Sequence, residues 1–228
     1  MDRRSYLRSV ALGSIATTAG CLRSALGNGP ENPTVLDPPE DRRYTSEELP
    51  YPAHGQELPS FALPDPLAGE VVDTTDIEGT MLVTGFFAFC PVECVQLIGQ
   101  LAGVQEGTIQ KGIDDDVTFL AITFDPQRDD AEALRDYGER MVNLDAGNWR
   151  FLRPESPERA KEVVGEELGI TFERVGADKS SRIEGYDFRH LSLTFLCNPS
   201  GVVERAYRTE RPDHERVLDD VETVVEAT

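Results

Sequence analysis

Two nearly continuous apolar runs, MLVTGFFAF (Met81 to Phe89) and VTFLAITF (Val117 to Phe124), dominate the middle of the chain. Their length and their β-branched and aromatic content suit strands buried on both faces, since a strand with one wet face would alternate. Between them VQLIGQLAGVQ repeats apolar positions at helical spacing, which predicts a strand–helix–strand unit. After the second run, Asp129 and Glu132 form a candidate capping box for a helix through about Met141. Ser156-Pro157 starts another helix, with proline at the first helical position, ending near Gly169. HLSLTFLCNPSGVVERAYR then reads as two strands around an Asn198-Pro199-Ser200-Gly201 turn. A final helix carries Val217, Leu218, Val221, Val224 and Val225 on one stripe.

Before Phe61 this patterning is absent. The chain opens MDRRSYLRSVALGSIATTAGC, with Arg3 and Arg4, a weakly apolar run from Ser9 to Gly20, and a stop at Cys21. That run is shorter than the roughly 20 apolar residues a membrane span needs, and fits the core of a signal peptide. The arginine pair resembles a twin-arginine export signal. TAGC resembles a lipobox, with Thr18 where leucine is usual, so residues 1–21 are expected to be a lipoprotein signal peptide. Cys21 would then be the lipidated N-terminus of an exported protein anchored on the outer face of the cell membrane. Residues 22–59, with GNGPENP and LDPPEDRR, read as a flexible tether reaching on the order of 30 Å. Removing residues between Leu22 and Pro50 is accordingly expected to leave the folded domain, residues 60–228, intact.

Composition narrows the partners. The 228 residues carry 42 acidic and 22 Lys or Arg side chains, a net charge of −20, and lysine occurs only at Lys111, Lys161 and Lys179. Such a surface repels phosphate backbones, which argues against nucleic-acid binding. It resembles the acidic, lysine-poor surfaces that keep proteins soluble at high salt.

The chemistry lies where the first strand ends. GFFAFCPVEC places Cys90 just past the strand and Cys94 in the first turn of the following helix, where outward amides and the helix dipole stabilise a thiolate. A structural disulfide is the ordinary reading of paired cysteines in an exported protein, but a bridge closing so small a loop stabilises little. Positions i and i+4 share a helical face, so the two sulfurs can converge on one ion, and soft thiolates suit Cu(I) or Zn(II). One imidazole would complete such a site. Of the three histidines, His54 and His214 read as solvated, whereas His190 immediately precedes the strand LSLTFLC. The element order resembles a thioredoxin-like α/β fold, a central mixed β-sheet flanked by helices. In that fold the loop entering this strand faces the active site, and oxidoreductases usually carry a proline there. Phe188 to Cys197 contains none, which favours a metal.

Three stretches together resemble the Sco/SenC family of copper chaperones: FFAFCPVEC, ITFDPQRDDAEALRDYGE (Ile122 to Glu139) and YDFRHLSLTFLCNPSG (Tyr186 to Gly201). The resemblance covers roughly residues 55–225. It implies a copper site at Cys90, Cys94 and His190, with Cu(I) the first choice and Cu(II) the alternative. It also implies a part in assembling the dinuclear copper centre of cytochrome c oxidase, with the copper-bearing subunit as partner. Two positions depart from the family pattern: Val95 replaces a proline, and Arg189 replaces an aspartate before the histidine. Arg189 would set a guanidinium beside the imidazole and disfavour its protonated form. Asp125 could lie near the site and reads as turn-forming. Cys197 shares parity with Leu191, Leu193 and Phe195 and is expected in the core.

The rival reading is an enzyme, a thiol–disulfide oxidoreductase in which Cys90, the more exposed thiol, attacks and Cys94 resolves. Val83 and Phe87 argue against a peroxiredoxin, whose P-x-x-x-[ST]-x-x-C motif needs Pro and Ser or Thr there. The charge excess has a measurable consequence. Self-repulsion at −20 destabilises the compact state when screening is weak, so the melting temperature should rise as salt is added. A melting temperature flat up to molar salt would contradict this.

Overall fold

The computed structural model of the chain describes residues 33–40, 42–175 and 188–228. The expected signal peptide with Cys21, and residues 22–32, lie outside them. In chain order the strands are β1 (Ala62–Asp65), β2 (Glu70–Asp73), β3 (Thr80–Phe86), β4 (Val117–Thr123), β5 (Trp149–Leu152), β6 (Phe172–Arg174), β7 (Phe188–His190), β8 (Thr194–Cys197) and β9 (Val203–Tyr207). The helices are α1 (Glu93–Lys111), α2 (Ala131–Met141), α3 (Pro157–Ala160), which widens into a π-helical stretch over Lys161–Glu167, and α4 (His214–Ala227). None of the described helices is long and apolar enough to cross a membrane.

Five strands form one mixed sheet in the order β5-β4-β3-β8-β9. β3, β4 and β5 run parallel, and β8 and β9 add antiparallel neighbours. The α/β sheet flanked by helices agrees with the thioredoxin-like expectation. All seven residues of β3 are buried, which is why the run shows no alternation. Phe86 faces the α2 side, where its ring meets Tyr137 at 5.3 Å. Gly85 faces the other way, against Val164 and Ile170 at the contact limit for any added side chain. α1 packs on α4, which buries Val217, Val221 and Val224 of the anticipated stripe. Cys197 is fully buried, as its parity predicts.

Local differences have local reasons. α2 is capped by Asp130, which accepts the Ala133 N–H, and not by Asp129, whose side chain turns inward. His54 is not simply solvated, because its Nε2 lies 2.8 Å from the Leu36 carbonyl. His214 rests on α1, with its ring against Gly103 and Nδ1 3.2 Å from Gln100 Oε1. The β1–β2 hairpin, β5 and β6 are three or four residues each, too short for a period to emerge from the sequence.

The largest departure is at the N-terminal side, where the expected tether over residues 22–59 is docked from Pro33 onward. Glu204, buried on β9, accepts hydrogen bonds from the Val35 and Leu36 amides at 2.9 Å each and from Asn198 Nδ2 at 2.7 Å. Leu36, Ala53 and Leu58 are buried. Residues 55–58 then exchange backbone hydrogen bonds with Gly201 and Val203, lengthening the sheet at its β9 edge. At Gly169, with φ +67°, the Pro50 carbonyl passes so close that no side chain would fit. This strap has no apolar period because backbone groups and one carboxylate hold it. Deleting residues 33–50 should therefore destabilise the domain, contrary to the expectation from the sequence. Losing the strap amides that bind the Glu204 carboxylate costs on the order of 1.5–3 kcal/mol. A denaturant midpoint unchanged by the deletion would show that the strap contributes nothing.

Candidate metal centre

The chain leaves β3 at Phe86 and turns at once, the Cys90 amide bonding to the Phe87 carbonyl at 3.2 Å. α1 begins without a capping side chain, since Val92 has none to offer. The Cys90 sulfur fills that place and accepts the Cys94 N–H at 3.3 Å. A helix N-terminus favours negative charge, so the helix and the thiolate stabilise each other.

His190 comes from the far side of the sequence. β7 pairs with β6, setting His190 opposite Phe172 and Phe188 opposite Arg174. The imidazole is walled by aromatic rings, with Phe124 centred 5.3 Å and Phe87 6.0 Å away. Its Nε2 lies 3.8 Å from Cys94 Sγ. Its Nδ1 is buried without a hydrogen-bond partner among the described residues, so packing holds the ring in place of the usual carboxylate. The ligand atoms of Cys90, Cys94 and His190 all lie within 4.8 Å of one another. Two sulfurs and one imidazole form a soft donor set suited to Cu(I) or Zn(II).

The two thiols are electrostatically unequal. Cys90 is pulled far below the ordinary thiol range, to about 4, chiefly because the Cys94 thiol donates to it. His190 and the backbone amides help, while burial opposes. Cys94 is pushed well up, first by burial and then by its bond to the Cys90 sulfur and the charge there. One proton thus stays on Cys94 at neutral pH. Cys90 is nonetheless only 2% exposed and Cys94 0%, so neither is the exposed thiol the sequence suggested.

Asp125 is a structural residue. It is buried in the turn after β4 and pairs with Arg128 and with Arg174, the latter at 2.9 Å. The two guanidinium groups are thereby held over the Phe188 ring, Arg174 at 5.0 Å and Arg128 at 6.0 Å. Arg189 corrects a further expectation. It pairs with Glu173 and, by strand alternation, points to the opposite face from His190, so no guanidinium of its own flanks the imidazole. Asp129 is the residue the sequence concealed. Its Oδ2 accepts the Ala88 N–H at 2.9 Å and the Thr123 hydroxyl, tying the loop before Cys90 to the end of β4. Burial raises its carboxyl to about 6. As one of two adjacent aspartates it carries no local signal of this role.

A thioredoxin-like domain with a two-cysteine, one-histidine cluster at the end of its central strand is a recognisable class of protein. The SCO1/SenC family profile matches residues 52–226, and the chain belongs to that family. A SCO2-like protein of Rickettsia prowazekii (strain Madrid E) is 25% identical over 134 residues, which span 58% of this chain and 60% of the relative. Among solved structures the fold is similar to a SCO1/SenC family lipoprotein from Bacillus anthracis str. Ames (TM-score 0.62, 19% identity, 77% of this chain and 96% of that one). It is also similar to Arabidopsis thaliana ScoI with copper bound (TM-score 0.61, 19% identity, 76% and 100%). BsSco, described as a member of the Sco family of cytochrome c oxidase assembly proteins, matches with TM-score 0.61 at 20% identity over 78% and 97%.

The asymmetry of the pair can be titrated. Ultraviolet thiolate absorbance should show Cys90 ionising with a midpoint near 4, and Cys94→Ala should move that midpoint upward because the largest stabilising donor is gone. An unmoved midpoint would assign the thiolate to the helix amides alone.

Proposed function

We propose that this protein is a copper chaperone that holds Cu(I) through Cys90, Cys94 and His190 and delivers it to the copper-bearing subunit of cytochrome c oxidase. The observation that carries the reading is the convergence of these three ligand atoms within 4.8 Å on the end of β3. Copper is cargo here, and ligand exchange with a recipient is the chemistry. Family membership and the copper-bound relative support the metal. The relative described as an oxidase assembly protein supports the destination. Holding the ion requires Cys94 to lose its proton, so retention weakens on acidification.

The proposal includes export and a lipid anchor at Cys21. The strap is docked from Pro33 onward. Pro33 sits by Asn198, at the turn between β8 and β9. Because Met81 pairs with Cys197, that turn lies at the start of β3, the end opposite the cysteines.

The thiol–disulfide reductase reading is kept for one observation, the split between an ionised Cys90 and a protonated Cys94, which is what a nucleophile and a resolving thiol require. His190→Ala separates the two. Losing one of three ligands should weaken copper affinity by at least about 10–100-fold. Attack by Cys90 should largely persist, and Cys90→Ser should abolish both activities. Wild-type copper affinity in His190→Ala, together with loss of disulfide reduction, would overturn the chaperone reading. A second check is proton release. Copper loading at pH 7 should free about one proton from the cysteine pair, that of Cys94, and approach two only below about pH 4. Release of two at pH 7 would contradict the assigned charge state.

A further inference from the structure

The docked strap and the end of β9 enclose a half-open cavity of about 510 Å³ that is separate from the metal cluster. Arg42 and Arg43 reach it from the strap, and Arg208 from just past β9. Tyr44, Tyr51 and His54 complete the wall, and no carboxylate lines it among the described residues. In a chain with 42 acidic against 22 basic side chains, a lining with three arginines and no acid among the described residues reverses the bulk composition.

Arg42, Arg43 and Arg208 enter no ion pair among the described residues, and the field of Arg42 reaches exposed Glu47. Glu48 is committed to the Thr45 amide at 2.8 Å, and His54 Nε2 to the Leu36 carbonyl at 2.8 Å. Guanidinium groups sharing a cavity repel one another until an anion enters. Each presents a planar fork of donors that binds two oxygens at once. Three forks exceed the two oxygens of a carboxylate and suit a tetrahedral anion. The volume is also far larger than a bare ion needs, since a liquid water takes about 30 Å³. Tyr44, 60% exposed, offers an amphipathic ring at the rim for an organic substituent.

We infer that this cavity binds the phosphate group of an organophosphate anion, either a soluble phosphate ester or a phospholipid headgroup. It exists only while the strap is docked, because Arg42 and Arg43 lie on the strap and Arg208 just past β9. The site is independent of Cys90, Cys94 and His190.

The test uses the full chain carrying Cys21→Ser, so that no acyl chain contributes to binding. Calorimetry with glycerol 3-phosphate at low salt reads the soluble arm. Co-sedimentation with phosphatidylglycerol vesicles, against phosphatidylcholine vesicles, reads the lipid arm. Arg43→Gln and Arg208→Gln should each weaken phosphate binding at least about tenfold while leaving copper affinity unchanged. Arg43→Lys and Arg208→Lys keep the charge without the fork, should also weaken binding, and serve if a glutamine variant fails to fold. Glycerol 3-phosphate binding that these variants lose supports a soluble ester. Binding confined to phosphatidylglycerol vesicles, and lost in the variants, supports a headgroup. Binding to neither probe, or binding equal in wild type and all variants, overturns the inference.

Discussion

The cluster depends on one contact, the Cys90 sulfur accepting the Cys94 amide where α1 begins. A helix start leaves amides without partners, and this one has no serine or aspartate to take them. The sulfur does so only well as a thiolate, so the fold itself selects the charge state of Cys90. The same charge, buried at the end of β3, would be costly if it were not shared with the Cys94 thiol and the helix. Two cysteines in similar burial thus acquire opposite protonation preferences.

His190 is positioned by a different device. Its short strand is held by β6, and its ring is gripped by Phe87 and Phe124 with no carboxylate behind it. An imidazole gripped in this way is oriented largely by shape, with Nε2 facing the Cys94 sulfur. Around this pocket Asp125 anchors two arginines whose guanidinium planes cover Phe188. Asp129 fixes the approach to Cys90 from beneath. The site is therefore assembled where β3 and β4 leave the central sheet and the β6–β7 ribbon meets them.

At the opposite end and along the β9 edge, the strap does for the sheet what an extra strand would. An edge strand with free amides invites pairing with other chains, and residues 55–58 cover the start of β9 and the turn before it. Glu204 is the counterpart of the cysteine cap: a buried anion whose charge is met by backbone amides, here from Val35 and Leu36. Both anions in this acidic protein are tolerated because N–H groups already fixed by the fold point at them.

By itself the sequence determined the alternation of β3, α1 and β4, the stripe of α4, the burial of Cys197 and the candidacy of Cys90, Cys94 and His190. These are legible because apolar period and residue type act locally, over one turn or one strand. The strap over residues 33–59 was illegible, and was read as a tether, because its hold comes from amides meeting Glu204 some 168 residues later, which leaves no period. Asp129 and Asp130 are alike in sequence, and only the position of Ala88 decides which of them caps a helix and which carries the loop. The face taken by Arg189 likewise follows from pairing with β6, a strand of three residues with no signal of its own. Long-range hydrogen bonds decided these features, since register and distance between remote segments exist only once the chain has folded.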